Sequence, residues 1–269
     1  MNEKNFEYLR DQLKYTGFGE GLEKELREKM EQKTPEFELF HQAAFGKDQA
    51  VAVLQFRKSE QDMYFFNRYL VALRGEKPAD ILEQTFHINK GNNITLKEAY
   101  NLMQGRAVNK DLTSREGQGY NAWLQLDFKQ ADPAGNYQVK QYHANYGFDL
   151  EKTLERFYIK ELEDPQQKEQ LIHSLKKGNQ QLITALEEGY EVKRYIEASP
   201  QFKTINVYNE QRQRAMRETI QRQEPTPGES LQQQAAARQE RRKEKQQQEQ
   251  GEEPGPGKRT VRKSRSLKP

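Results

Sequence analysis

Apolar positions in the first 208 residues follow two rhythms. Phe6, Leu9 and Leu13 recur three and four apart, and Leu22, Leu26 and Met30 four apart. This spacing predicts two helices, the second closed by Pro35. Alternation then takes over, and Phe37–Phe45, Ala50–Arg57, Met63–Arg74 and Thr85–Ile88 read as strands. Ala50, Ala52, Leu54 and Phe56 share one face, which predicts one buried side. Met63–Leu73 is apolar on both faces and predicts a central strand covered on each side.

Helical spacing returns at Leu96, Ala99, Tyr100 and Met103. Thr95 and Glu98 fit a capping box, in which hydroxyl and carboxylate satisfy free backbone N–H groups. Gly105 suits the left-handed residue after the helix. Strands are expected at Ala107–Leu112, Tyr120–Phe128 and Tyr137–Tyr146, the last with a bulge near Gln141 where its alternation changes phase. Asp149 is an N-cap candidate for a short helix that buries Leu150, Leu154 and Phe157. Asp164-Pro165 starts another, with Leu171, Ile172 and Leu175 apolar and Gly178 at its end. Strands Gln181–Leu186, Tyr190–Glu197 and Lys203–Tyr208 follow.

These elements suggest a repeat. A helix ends in Gly105 or Gly178, and a strand leads to a Gly-Tyr turn and two more strands. Residues 20–74 resemble a looser copy. The expected fold is α+β: repeated modules of a helix followed by a three-stranded antiparallel sheet, with a disordered polar tail. The expected boundaries are 1–92 for N-terminal helices plus strands, 93–208 for tandem α-β-β-β modules and 209–269 for the tail.

Composition explains the tail. The chain of 269 residues is 33% hydrophobic and 32% charged. Beyond Tyr208 no aromatic residue remains, and Gln, Glu, Arg and Lys dominate. Such a segment buries too little apolar surface to offset its ordering entropy, although residues 210–223 have the composition of a polar helix. Residues 209–269 hold 15 basic and 9 acidic residues, against 29 and 32 before them. The net charge of +3 therefore resides in the tail. Lys258, Arg259, Arg262, Lys263, Arg265 and Lys268 form an acid-free cluster that suits sequence-independent contact with phosphates.

The absence of cysteine excludes disulfides, thiolate metal sites and cysteine nucleophiles. The N-terminus shows no signal-peptide core, and apolar runs are too short for a bilayer, so a cytoplasmic chain without membrane contact is expected. Gly17-Phe18-Gly19-Glu20-Gly21 follows a helix rather than a strand, and Glu20 would repel phosphate; a turn is expected. His41, His87, His143 and His173 have no metal-pair spacing, and no cofactor is implied. His143 and Asp127 are a candidate general-base pair across a hairpin, weighed against a plain surface histidine. Trp123 lies on the more polar face of its strand, with Asn121, Gln125 and Asp127. Either a helix covers it, or it anchors an interaction surface with Arg106 and Lys110 supplying cations.

Several segments resemble a known family: Asp11–Gly19, Asp62–Tyr69, Ile94–Lys110, Tyr120–Phe128, Asn145–Leu150 and Pro200–Tyr208. They are similar to a bacterial domain family of unassigned activity encoded on conjugative and integrative elements. A related domain occurs beside topoisomerase-type DNA-processing proteins. The resemblance covers about residues 1–208 and leaves out the tail. It implies a context of DNA mobility and an accessory role, and brings no site residue. The expected function is a non-enzymatic adaptor that docks a protein partner and touches nucleic acid weakly through its tail. The alternatives are a metal-dependent enzyme acting on nucleic acid or nucleotide, and an inhibitor of a host defence protein.

Overall fold

The computed structural model describes residues 1–74, 81–89 and 92–222. Two helices open the chain, α1 (Glu3–Tyr15) and α2 (Glu23–Glu31). A meander of β1 (Glu36–Phe45), β2 (Asp48–Lys58), β3 (Tyr64–Arg74) and β4 (Ile81–His87) follows as one antiparallel sheet in chain order. Helix α3 (Leu96–Met103) leads to a three-stranded sheet of β5 (Val108–Thr113), β6 (Gly119–Ala131) and β7 (Tyr137–His143). Helices α4 (Leu150–Leu154) and α5 (Pro165–Lys176) precede a last meander of β8 (Gln181–Glu187), β9 (Tyr190–Ser199), β10 (Thr204–Tyr208) and β11 (Arg214–Ala215).

The fold is α+β, as the periodicities predict. The sheets hold four, three and four strands, so the three-stranded unit expected from the sequence occurs once. Helix signals translate into geometry. Thr95 and Glu98 form the reciprocal capping box, and Asp149 and Asp164 accept backbone N–H groups at the starts of α4 and α5.

Two apolar cores form. The first gathers α1, α2 and α3 on the inner face of β1–β4, with Phe18, Leu39, Leu54 and Tyr69 at its centre. The second gathers α4, α5 and β8–β11 around Leu154, Leu175, Ile183 and Ile205. Sheet β5–β7 is their common wall. Ala122, Leu124 and Leu126 of β6 point into the first core, and Trp123 points into the second. Residues 1–222 thus form one compact unit, with no division at residue 92. Ile94, Leu96 and Leu102 belong to the first core, and the Tyr69 hydroxyl donates to the Ile94 carbonyl at 2.6 Å.

Three side-chain amides act as substitute peptide groups. Asn5 bonds both N–H and C=O of Tyr64, at 2.7 and 3.0 Å. Gln84 on β4 does the same to Tyr137 of β7, at 2.8 and 3.3 Å. Asn92 does so to Thr113 at the end of β5, at 2.6 and 2.9 Å. A carboxamide carries one acceptor and a donor pair at peptide-like spacing, so it satisfies a strand edge as another strand would.

Several expectations are corrected. Strand β3 is central but covered on one side, since helices pack against only one face of its sheet; Phe65 stays 51% exposed. The irregularity expected at Gln141 lies across the hairpin, between Asp127 and Ala131 of β6, while Gln141 pairs regularly with Leu124. The phase change on β7 arises because Tyr142 follows its cross-strand neighbour Trp123 into the second core. The strand ends at His143, and residues 144–146 form a 3-10 turn. Order also runs past Tyr208. Strand β11 pairs with β10, and Ile220 is fully buried against the second core. The Ile220 carbonyl accepts from Tyr158, and the Arg222 N–H donates to Arg156. Residues 209–222 are therefore folded, as strand and turn rather than a polar helix, anchored by one isoleucine and backbone pairing. The expected disorder of the remaining tail lies outside the described residues.

Gly178, just after α5, has φ +79°, and a Cβ there would lie 2.8 Å from Val108 Cγ2 and 3.0 Å from the Ala107 carbonyl oxygen. Gly178→Ala therefore adds a clash to a left-handed backbone, and about 2–4 kcal/mol of stability should be lost in urea unfolding. Gly189→Ala, at φ +87° with nothing within 4 Å, should cost only about 1 kcal/mol.

Candidate interaction surface

Of the three residues expected to form a contact surface, Trp123 is buried, and Arg106 and Lys110 are half-buried and paired. Trp123 is 6% exposed and meets the Phe148 ring edge-on at 5.3 Å. Its face reads as polar in sequence because Asn121, Gln125 and Asp127 flank it. Beside it, Gln125 donates to the Gly105 carbonyl and Asp127 pairs with Lys140 at 2.7 Å. Arg106 donates to Asn101 Oδ1 at 2.7 Å, lies 3.8 Å from Glu197 and stacks over Tyr100. Lys110 donates to Glu98 at 2.9 Å.

These groups belong to a polar junction between the two cores. Asn101 is fully buried and donates to the Lys177 carbonyl at 2.7 Å and to Asn179 Oδ1 at 3.0 Å, satisfying the C-terminal end of α5. Glu98 is 1% exposed and receives the Thr95 N–H, Lys110 and Lys177. Burial pushes its carboxyl up, but those donors outweigh burial and hold it below the ordinary 4.5. Glu197 accepts from the Tyr208 hydroxyl at 2.6 Å and from Asn206 at 2.9 Å. Burial and this carboxylate push the Tyr208 phenol well up. A junction so paired orients the elements that meet there, with the Gln125 Oε1 as its one buried oxygen without a partner among the described residues.

The other candidates separate. Asp127 is opposite Gln138 and His143 opposite Ala122, so the proposed acid–base pair does not form. Hairpin register, which the sequence left open, decides this. Gly17–Gly21 is a turn between α1 and α2, in which Phe18 packs edge-on against Tyr69 and Glu20 pairs with Lys14. Among the described residues no three His, Asp or Glu side chains converge to hold a metal. Lys258, Arg259, Arg262, Lys263, Arg265 and Lys268 lie outside the described residues.

The surface that remains is the outer face of β1–β4, which no helix or strand among the described residues covers. Cross-strand register organises it in rows. Phe40, Val53, Leu70 and Thr85 form one row, and Gln42, Val51, Ala72 and Glu83 the next. Phe40 is 60% exposed. Beside this apolar centre, Glu38, Gln55, Arg68 and His87 form a polar row. Within it Arg68 donates to Gln55 and Gln55 to Glu38. Arg57 pairs with Glu36 at 3.2 Å in the row beyond. A shallow groove of about 570 Å³ runs over these polar rows. The signal for this face was present in sequence as the two-sided apolar pattern of Met63–Leu73, which a covered strand would also produce.

No family model, no curated protein and no solved structure matches this chain. No helix among the described residues is long and apolar enough to cross a membrane.

Buried Trp123 is the single tryptophan of the chain, so its emission reports the second core. Emission should be blue-shifted and resistant to iodide in the native state and accessible in urea. Trp123→Ala should cost about 3–5 kcal/mol. Depression of the Glu98 carboxyl stabilises the fold above its unfolded value, 4.5, and that contribution disappears as pH falls through the lower folded value. Thermal stability should therefore drop below about pH 4.5, and Glu98→Gln should flatten that drop.

Proposed function

We propose that this protein is a non-enzymatic adaptor of a mobile DNA element, docking a protein partner on the outer face of β1–β4. The observation that supports this reading is the make-up of that face. Its apolar centre of Phe40, Val51, Val53, Leu70 and Ala72 is rimmed by charges of both signs. An apolar centre inside a polar rim is the anatomy of a protein interface. The rim balances Arg57, Arg68 and Arg74 against Glu36, Glu38 and Glu83, with His87 at one end. A face with no net positive charge gains little from releasing phosphate counterions, which favours protein over nucleic acid as its occupant.

Nucleic-acid contact falls instead to the tail cations, whose affinity would be weak and salt-dependent. The sequence resemblance to families of mobile elements supplies the context. Recurrence of a helix followed by an antiparallel meander supports a duplicated docking module.

Two measurements on the full chain test this reading. Binding to duplex DNA should be detectable at low salt and lost at moderate salt. Replacing Lys258, Arg259, Arg262, Lys263, Arg265 and Lys268 by Gln should abolish it. Co-expression with the proteins encoded on the same element should yield a complex that Val53→Arg with Leu70→Arg dissolves while the blue-shifted Trp123 emission is kept, both side chains lying half-buried on the outer face. A chain that binds neither DNA nor any of those proteins would refute the proposal.

A further inference from the structure

The edges of the three sheets are not treated alike. Gln84 ties β4 to β7, and Asn136 accepts the Thr85 N–H. Asn92 closes the end of β5. Glu161 accepts the Thr184 N–H of β8, and Ile159 bridges to Ala185 on the same edge. Strand β11 is two residues long. Strand β1 differs: it is ten residues long, lies at the edge of its sheet, and has no such closure among the described residues.

Its outward groups follow from the hairpin. Phe45 opposes Asp48 across the two-residue turn Gly46-Lys47, and Gly46 has φ +67°. In such a hairpin the pair flanking the turn exchanges both hydrogen bonds, and every second pair does so. The Lys58 N–H to Pro35 carbonyl bond at the far end keeps the same phase. Odd-numbered residues of β1 are thus bonded to β2. The N–H and C=O of Glu36, Glu38, Phe40, Gln42 and Ala44 point away from the sheet, and no hydrogen bond to them is present among the described residues. The side chains of these five residues are all exposed.

We propose that β1 is the interface for a second copy of this chain, the two β1 strands pairing antiparallel about a two-fold axis at Phe40. The order of side chains suits this register and disfavours one centred on Glu38. An axis at Phe40 sets the two Phe40 rings beside one another, Glu38 beside the second copy's Gln42, and Glu36 beside its Ala44. Every pair is compatible, and each carboxylate meets an amide or a small apolar group. An axis at Glu38 would instead oppose two carboxylates and set Glu36 against Phe40. Pairing at Phe40 satisfies all ten outward backbone groups and joins two four-stranded sheets into one of eight strands. The apolar rows of the two outer faces become one continuous band. Long open edges invite uncontrolled pairing, and an isologous partner removes this one. The inference does not depend on the docking reading above.

Sedimentation equilibrium of the full chain over a concentration series tests it. The wild type should approach twice the chain mass. Phe40→Lys and Phe40→Glu should each raise the dimer dissociation constant by at least about tenfold, while an equimolar mixture of the two should dimerise again. Phe40 is 60% exposed, so these changes spare the core. Gln42→Glu opposes a carboxylate to Glu38 on each side of the axis and should weaken the dimer about three- to tenfold. Gln42→Lys should tighten it. A wild-type mass of one chain throughout the series overturns the proposal. So does a dimer indifferent to Phe40→Lys and Gln42→Glu, which would pair through another surface. Equal effects of Gln42→Glu and Gln42→Lys overturn the register.

Discussion

Strand β6 carries a demand that shapes everything around it, because both of its faces are buried. Leu124 and Leu126 look into one core and Trp123 into the other, a consequence of the two-residue period of a strand. A single β-sheet with two apolar faces needs a layer on each side. The first meander with α1–α3 supplies one, and α4, α5 and the last meander supply the other. Slipping β6 by one residue would exchange its faces and empty both cores, so register here holds the two halves together.

The junction around Asn101 completes what β6 starts. The apolar layers leave the C-terminal end of α5 facing the beginning of β5, where carbonyl groups have no helical partner. Asn101 supplies the donor, Arg106 orients Asn101, and Glu98 pairs with both Lys110 and Lys177. Gly178 lets the chain pass close by, since no side chain fits between it and Val108. Removing any one member strands buried polar atoms, which is more costly than the net worth of the bond that held them. Asn5, Gln84 and Asn92 solve the same problem at strand edges.

Charge is divided between two regions that follow different physics. The outer face of β1–β4 pairs its ions side by side, Arg57 with Glu36 and Arg68 through Gln55 to Glu38, so it presents shape and apolar area rather than net charge. The C-terminal cations carry no acid among them and act at a distance limited by the Debye length. On the proposed adaptor reading, one contact would survive salt and the other would not.

Much of the element order was legible in the sequence. Period, capping residues and terminal glycines placed five helices and most strands, because these signals act over a few residues: Thr95 with Glu98, Asp164 with Pro165, Gly105 and Gly178 after their helices. What the sequence could not show was which apolar faces would find a partner. The polar strand neighbours of Trp123 leave open whether it is covered or exposed, and the second core covers it. Leu70 and Ala72 read as covered because they are apolar, yet no layer among the described residues lies over them. Asp127 and His143 share a hairpin, and register places them apart. Local propensity determined the elements and their ends. Only tertiary structure decided burial, since burial depends on residues far along the chain that no local pattern specifies.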